Sequence, residues 1–118
     1  MALKFYGYTG CGTCRNAKKW LDARRIAYQE IPIRETPPTA AELKRMLKET
    51  GGDLRKLFNT SGGDYKAMNL KDSLPGMSEN EAIDLLAAHG NLVKRPFVLG
   101  SGIALVGFKE EVWEDVLD

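Results

Sequence analysis

The chain has 118 residues, which is long enough for one domain with a hydrophobic core but not for two. A net charge of +1 and a hydrophobic fraction of 43% are ordinary for a globular protein, so bulk charge indicates neither direct nucleic-acid binding nor an acidic partner. No stretch is apolar and long enough to span a bilayer, and the N-terminus lacks the apolar core of a signal peptide. We therefore expect a cytoplasmic, monomeric protein without membrane contact.

The first third of the chain alternates between strand and helix patterns. Residues 3–8 are predicted to form a strand, residues 12–25 a helix and residues 26–33 a second strand. Pro32 and the Pro37–Pro38 pair end the second strand, because proline cannot donate to a strand ladder. These elements form a β-α-β unit.

The middle of the chain is predicted to be helical. Thr39 with Glu42, and Ser78 with Glu81, have the spacing of a capping box, in which each side chain bonds the backbone N–H of the other residue. Each pair predicts the start of a helix, and the second helix is expected to end near residue 89. Shorter helical turns are expected between the two.

The last third returns to strand patterns before a final helix. Residues 96–99 and 103–106 are apolar runs joined by Gly100-Ser101-Gly102, which predicts a hairpin. Residues 109–117 are predicted to form a helix. Its expected core-facing residues are Val112, Trp113, Val116 and Leu117.

The order β-α-β, helices, β-β-α is typical of an α/β thioredoxin-like fold with a helical insertion. We expect a single domain. Its sheet core is predicted to comprise about residues 1–34 and 91–118, and the helical insertion about residues 35–90.

Cys11 and Cys14 are the only cysteines and form a Cys-x-x-Cys motif at the predicted start of the first helix. There the unpaired backbone N–H groups carry partial positive charge, which favours a thiolate over a thiol. A thiolate is the nucleophile of disulfide chemistry, and a second cysteine at this spacing can resolve a disulfide formed on the first. We expect Cys11 to be the nucleophile and the pair to form a reversible disulfide.

Two other interpretations of the cysteine pair stay open. A structural zinc site usually needs four ligands, and His89 is the only histidine, although acidic residues could complete a set. Alternatively, the two cysteines are small inert residues at a helix start. Because a dithiol in the cytoplasm is more often catalytic or sensing than structural, the motif favours a redox role.

Arg15 and the Arg95–Pro96 pair are further candidate site residues. Arg15 lies on the first helical turn beside Cys14, where a cation lowers a thiol pKa and can hold an anion at the helix N-terminus. Pro96 stands where a paired strand is expected to begin, which is unusual for proline. Either an edge strand with a trans bond or a cis peptide beside the dithiol explains it.

Two motifs resemble a known family. Residues 8–17, Tyr-Thr-Gly-Cys-Gly-Thr-Cys-Arg-Asn-Ala, resemble the active-site loop of the glutaredoxin-linked arsenate reductases, and residues 92–98 look like that family's Asn-Arg-Pro strand. The resemblance is to the ArsC/Spx/YffB family. It implies a thioredoxin-like fold, a site around Cys11 and Arg95, and a cis bond before Pro96. It also implies no bound cofactor and an external reductant, such as glutathione, glutaredoxin or thioredoxin.

The chain departs from the arsenate reductases at the site itself. Asn59 and Ala104 stand where that family's motif has arginines, which implies poor arsenate reduction. Cys14 replaces a serine, and Spx-like regulators carry Cys-x-x-Cys there as a redox switch. Two functions stay open: a thiol-disulfide oxidoreductase, or an Spx-like regulator that binds the RNA polymerase alpha subunit. Spx-like regulators usually carry a longer basic C-terminal tail, whereas the last predicted helix here is acidic and the tail is short, so we expect that this and the near-neutral charge favour the enzyme.

Overall fold

A computed structural model of the chain describes residues 2–117 and contains a mixed four-stranded sheet in the order β2-β1-β3-β4. β1 pairs in parallel with β2 and antiparallel with β3, which pairs antiparallel with β4. The strands are β1 Leu3–Gly7, β2 Tyr28–Pro32, β3 Phe97–Gly100 and β4 Ile103–Val106. This arrangement confirms the predicted α/β fold.

Helices cover both faces of the sheet. The α-helices are α1 Gly12–Ala23, α2 Ala40–Glu49, α3 Gly63–Ala67, α4 Leu70–Ser73, α5 Glu79–Ala88 and α6 Glu110–Leu117. Short 3₁₀ helices lie at Leu54–Leu57, Leu74–Gly76 and Gly90–Leu92. Within residues 2–117, no helix has the length and apolar character needed to cross a membrane.

One face of the sheet packs against α1 and α6. Successive residues of a strand point to opposite faces, so Leu3 and Phe5 share this face while Tyr6 lies on the other. The buried core on the α1 and α6 face contains Leu3, Phe5, Cys14, Ala17, Trp20, Leu21, Val98, Leu105 and Trp113.

The predicted helical insertion covers the opposite face. α2 packs against both α5 and β4, and the core on this side joins strand residues such as Tyr6 and Phe97 to the inserted helices. Both predicted capping boxes are present, at Thr39 with Glu42 and at Ser78 with Glu81. The inserted segment therefore completes the core that the sheet alone would leave exposed.

The second strand is shorter than predicted, because α1 ends in a turn that uses the first residues assigned to that strand. Arg25 has a φ of 57°, and the Arg25 and Ile26 amides donate to the Asp22 and Leu21 carbonyls at 3.1 Å each. This is the hydrogen-bond pattern of a Schellman helix end. β2 therefore begins only at Tyr28.

The prediction that Val112 and Val116 of α6 face the core is wrong. Trp113 is 1% exposed, but Val112 is 46% and Val116 is 43% exposed. The reason is geometric: Trp113 fills the contact with the sheet, and its Nε1 donates to the Gly107 carbonyl at 3.2 Å. The valines lie on the side of α6 that borders a groove beside the cysteines.

Candidate active site

Cys11 is the N-cap residue of α1. Its backbone is extended, with φ −93° and ψ 118°, and its Sγ accepts a hydrogen bond from the Cys14 amide at 3.4 Å. A tight turn places it there, because the Cys11 amide donates to the Tyr8 carbonyl at 3.0 Å. The sulfur therefore sits where helix N–H groups stabilise negative charge, as the sequence predicts.

Cys14 lies one helical turn further on and is completely buried. Both thiols are free, and the Cys14 side chain hydrogen-bonds to Cys11. Burial, together with the hydrogen bond to Cys11 and the charge of that residue, raises the pKa of Cys14 to about 12. Cys11 is therefore the more readily ionised thiol of the pair, and Cys14 keeps its proton to higher pH.

Arg95 supplies the positive charge beside Cys11. Partial burial opposes ionisation of Cys11, but hydrogen bonds from Cys14 and the charge of Arg95 outweigh it and lower the pKa of Cys11. Arg95 itself is half-buried, and its Nη1 has no hydrogen-bond partner among the described residues. That donor is available to an anionic group bound beside the sulfur.

Tyr8 holds the arginine side chains at the site, a role that sequence reasoning missed. The Cζ atom of Arg95 lies 5.5 Å from the centre of the Tyr8 ring, and that of Arg34 lies 4.7 Å from it. Both distances are within cation–π range. Tyr8 also makes a backbone hydrogen bond to the Cys14 sulfur. One residue thus contacts both the dithiol and its charged neighbour.

The other predicted site residues, Pro96 and Arg15, lie in different parts of the site. Pro96 is buried directly after Arg95, and the bond between them is cis, as expected from the resemblance. Arg15 is exposed, and its Nη1 donates to the Thr9 carbonyl at 3.0 Å. The structure therefore brings Cys11, Cys14 and Arg95 together, while Arg15 braces the loop that precedes the helix.

A groove of about 770 Å³ opens beside Cys11. We call it the Cys11 groove. Its lining includes Cys11, Arg95, residues 104–109 and one side of α6. Asn59 and Ala104, the two positions at which the resemblance leads us to expect arginines, also line the groove.

The residues that the structure describes offer no metal centre. Among residues 2–117, no cluster of three or more histidine, cysteine, aspartate or glutamate side chains is placed to hold a metal ion. The dithiol is accompanied instead by an arginine and a groove, which suits sulfur exchange better than metal binding.

Comparisons with known proteins find similar sequences along nearly the whole chain. YusI from Bacillus subtilis is 49% identical over 115 residues, covering 98% of both chains. The regulatory protein MgsR from the same organism is 31% identical over 106 residues, which span 90% of this chain and 82% of MgsR.

A crystal structure of an ArsC family related protein from Bacteroides fragilis superposes with a TM-score of 0.91. It is 46% identical and covers 98% of this chain and 97% of that chain. The sequence pattern that defines the ArsC family matches residues 6–116 of this chain. The chain therefore belongs to the ArsC family and has its thioredoxin-like fold.

Proposed function

We propose that this protein is a dithiol oxidoreductase that reduces a substrate disulfide, with Cys11 as nucleophile and Cys14 as resolving cysteine. One arrangement carries the proposal: Cys11 caps α1 beside Arg95 at the groove, where its pKa is lowered, whereas Cys14 lies fully buried one turn further on, where burial raises its pKa. In such a pair, the thiol with the lower pKa attacks the substrate as a thiolate, and the other thiol stays protonated until it resolves the mixed disulfide.

The reaction is a double exchange at sulfur. The Cys11 thiolate attacks one substrate sulfur, forms a mixed disulfide and expels the other substrate sulfur as a thiolate. Cys14 then loses its proton, attacks the Cys11 sulfur and releases the second substrate thiolate. The dithiol gives up two electrons. The substrate thiolate that is expelled first takes the Cys14 proton, and the second takes a proton from water, which balances the proton that Cys11 released on ionising.

The mixed disulfide itself activates Cys14. Burial is the main reason for its high pKa, but the hydrogen bond to Cys11 and the negative charge of that residue also contribute. Both of these contributions disappear when Cys11 forms a disulfide, so the pKa of Cys14 falls when its thiolate is required. An external thiol or thiol-reductase protein, such as glutathione, glutaredoxin or thioredoxin, would then reduce the Cys11–Cys14 disulfide.

A neutral aromatic disulfide, 2,2′-dithiodipyridine, tests this assignment. The wild type is expected to release two equivalents of pyridinethione and to end as the internal disulfide. Cys14→Ser should release one equivalent and stay as a stable mixed disulfide on Cys11, visible by mass spectrometry. Cys11→Ser is expected to react far more slowly, because Cys14 is buried. Equal release by the wild type and by Cys14→Ser would contradict the resolving role.

A second candidate function is a redox-switched regulator, favoured by the similarity to MgsR over 90% of the chain. In that case the Cys11–Cys14 disulfide would control binding to the alpha subunit of RNA polymerase. Calorimetric titration of purified alpha subunit into the oxidised and the reduced protein tests it. Affinity that differs at least about tenfold between the two states would favour the regulator, and no binding in either state would exclude it.

A further inference from the structure

We propose that the Cys11 groove receives an extended acidic segment of a partner protein. The segment would present a cysteine disulfide to Cys11 and lay an apolar side chain against Val112 and Val116. This inference rests on the dithiol function proposed above and names its substrate class.

The size and position of the groove suit a peptide. At about 770 Å³, it is far larger than one oxyanion needs and falls in the range of sites for drug-sized ligands. Met46, Glu49 and Thr50 at the end of α2 line one part, and Val112 and Val116 of α6 line another. A bound chain would therefore lie between two helices and reach the nucleophile.

The β4 strand along the groove can guide an extended chain. Within residues 2–117, β4 pairs only with β3, so its other edge carries unpaired backbone groups. In the sheet, Tyr6 near the end of β1 pairs with Phe97, which pairs with Val106 at the end of β4. The Val106 end of β4 therefore lies at the same end of the sheet as the loop that leads from β1 to Cys11. At the far end, Arg45 donates to the Gly100 and Ile103 carbonyls and covers the hairpin.

The apolar wall is unusual for this chain. The large apolar side chains that are exposed among residues 2–117 are Met68, Val112 and Val116, and two of these three line the groove. Val112 and Val116 are four residues apart in α6, so they form a continuous strip. Exposed apolar strips with polar rims are typical of interaction sites.

The charge of the groove selects an acidic partner. Its lining contains four cations and one carboxylate, that of Glu49. None of the four cations forms an ion pair within residues 2–117. The acidic residues 110, 111, 114 and 115 of α6 do not line it. The cations are Lys56, Lys94, Arg95 and Lys109.

This positive groove occurs on a chain whose net charge is only +1, so the charge is concentrated here. Nucleic acid would also match the charge, but it presents no sulfur to Cys11. A protein segment supplies the acidic groups, the apolar side chain and the disulfide together. The exchange is the one described above: the partner is reduced by two electrons, Cys11 and Cys14 are oxidised, and an external thiol restores them.

Synthetic peptides test the proposal. Each carries one cysteine as a mixed disulfide with neutral thiopyridine, flanked by acidic or basic residues, and with or without a leucine near the cysteine. The second-order rate constant for thiopyridine release is expected to be about tenfold or more higher for the acidic than for the basic peptide. Raising the salt from about 0.02 M to about 0.5 M should reduce that ratio, because screening shortens the electrostatic range.

Matched variants locate the effect. Lys56→Glu with Lys109→Glu is expected to abolish the preference for acidic peptides. Lys66→Glu with Lys71→Glu changes the net charge equally outside the Cys11 groove and should keep the preference. Val112→Ser with Val116→Ser should remove the advantage of the leucine peptide.

Neutral 2,2′-dithiodipyridine separates this inference from the proposed function. The Lys66→Glu with Lys71→Glu control should react with it at the wild-type rate, because both residues lie outside the Cys11 groove. The peptide rates of each groove variant are divided by that variant's own rate with this reagent, which removes any change in the reactivity of Cys11 itself. Equal rates for acidic and basic peptides on the wild type would overturn the groove proposal while leaving the dithiol function intact. The groove proposal is also overturned if the valine variant keeps the wild-type preference for the leucine peptide, since the leucine would then not lie against Val112 and Val116.

Discussion

The reactivity of Cys11 depends on a balance between burial and charge. Burial favours the neutral thiol, whereas the hydrogen bonds from Cys14 and the guanidinium of Arg95 favour the thiolate. Arg95 comes from the opposite end of the chain and is held beside the ring of Tyr8. The ionisation of one sulfur is thus set by residues that are distant in sequence.

We predict that Cys11 is alkylated at a lower pH than a free cysteine and well before Cys14. Because only the thiolate reacts, the rate rises as the pH passes upward through the lowered pKa of Cys11. Arg95→Ala should move that profile to higher pH, and by more than Arg15→Ala, whose guanidinium is bonded to the Thr9 carbonyl. Iodoacetamide labelling across pH, with peptide mass spectrometry, measures this. A larger effect of Arg15→Ala would show that the charge was assigned to the wrong arginine.

Tyr8 is predicted to position Arg95 rather than to react. Tyr8→Leu removes the ring, a cation–π contact of about 0.5–2 kcal/mol, and should raise the pKa of Cys11. Tyr8→Phe keeps the ring and the backbone bonds, so the pKa should stay near its wild-type value. The readout is thiolate absorbance during a pH titration of Cys14→Ser backgrounds. A pKa that rises equally in both variants would point to the hydroxyl instead.

At the scale of secondary-structure elements, one capping residue does more than cap its helix. Glu42 accepts hydrogen bonds from the Thr39 amide at 3.0 Å and from the Tyr6 hydroxyl at 2.8 Å, and it pairs with Lys4 at 3.2 Å. It therefore ties α2 to β1. Glu81 closes the second capping box on an exposed surface, and within residues 2–117 its side chain makes only the cap bond.

We predict that Glu42→Ala lowers the free energy of unfolding more than Glu81→Ala does. Loss of a cap bond costs about 0.5–2 kcal/mol in either helix. Glu42→Ala also leaves the half-buried Tyr6 hydroxyl without its acceptor, which adds about 1–3 kcal/mol. Urea unfolding of both variants compares them directly. Equal losses would mean that the bond between Tyr6 and Glu42 contributes no net stability.

The Glu42 contribution should also depend on pH. Burial would raise its pKa, but the hydrogen bonds from Thr39, Tyr6 and Lys4 outweigh burial and lower it. A lowered folded-state pKa stabilises the protein above the unfolded value of about 4.3 and ceases to do so as pH falls through the folded value. The stability difference between wild type and Glu42→Gln should therefore shrink in acid below about pH 4.3. A difference that is constant from neutral to strongly acidic pH would contradict this.

At the scale of the whole molecule, the sheet and the insertion together shape the Cys11 groove and decide which anions it can hold. Asn59 comes from the insertion and Ala104 from β4, and both line the groove with Cys11. Neither side chain is charged. Arg95 is therefore the sole arginine among the residues that line the groove in the described part of the chain.

We predict that arsenate is reduced slowly or not at all. A lost charged hydrogen bond removes about 1.5–3 kcal/mol, so two missing arginines would slow turnover by about 10²–10⁴-fold. Arsenate turnover with glutathione and glutaredoxin present, compared with disulfide reduction by the same preparation, tests this. Turnover in the ordinary enzymatic range of about 1–1000 per second would show that the uncharged positions do not limit the reaction.

The sequence by itself determined the features that local rules control. The Cys-x-x-Cys motif at a helix start, both capping boxes and the hairpin at Gly100–Gly102 depend on residues a few positions apart, and the structure contains each of them. The element order and the two family motifs were enough to indicate the fold. The errors in the elements themselves lay at their ends, such as the start of β2, where the helix end at Arg25 uses the first residues assigned to the strand. The predicted core face of α6 was also wrong, for Val112 and Val116.

Only the tertiary structure decided what surrounds Cys11. Tyr8, Arg95 and the residues that line the groove lie far apart in the sequence, and no sequence pattern predicts that they are neighbours in the structure. The same limit explains Val112 and Val116, because a helical repeat shows which residues are apolar but not whether another element covers them. The charge beside the Cys11 sulfur and the shape of the groove depend on tertiary packing. The sequence could therefore indicate Cys11 as the candidate nucleophile but not the surroundings of its side chain.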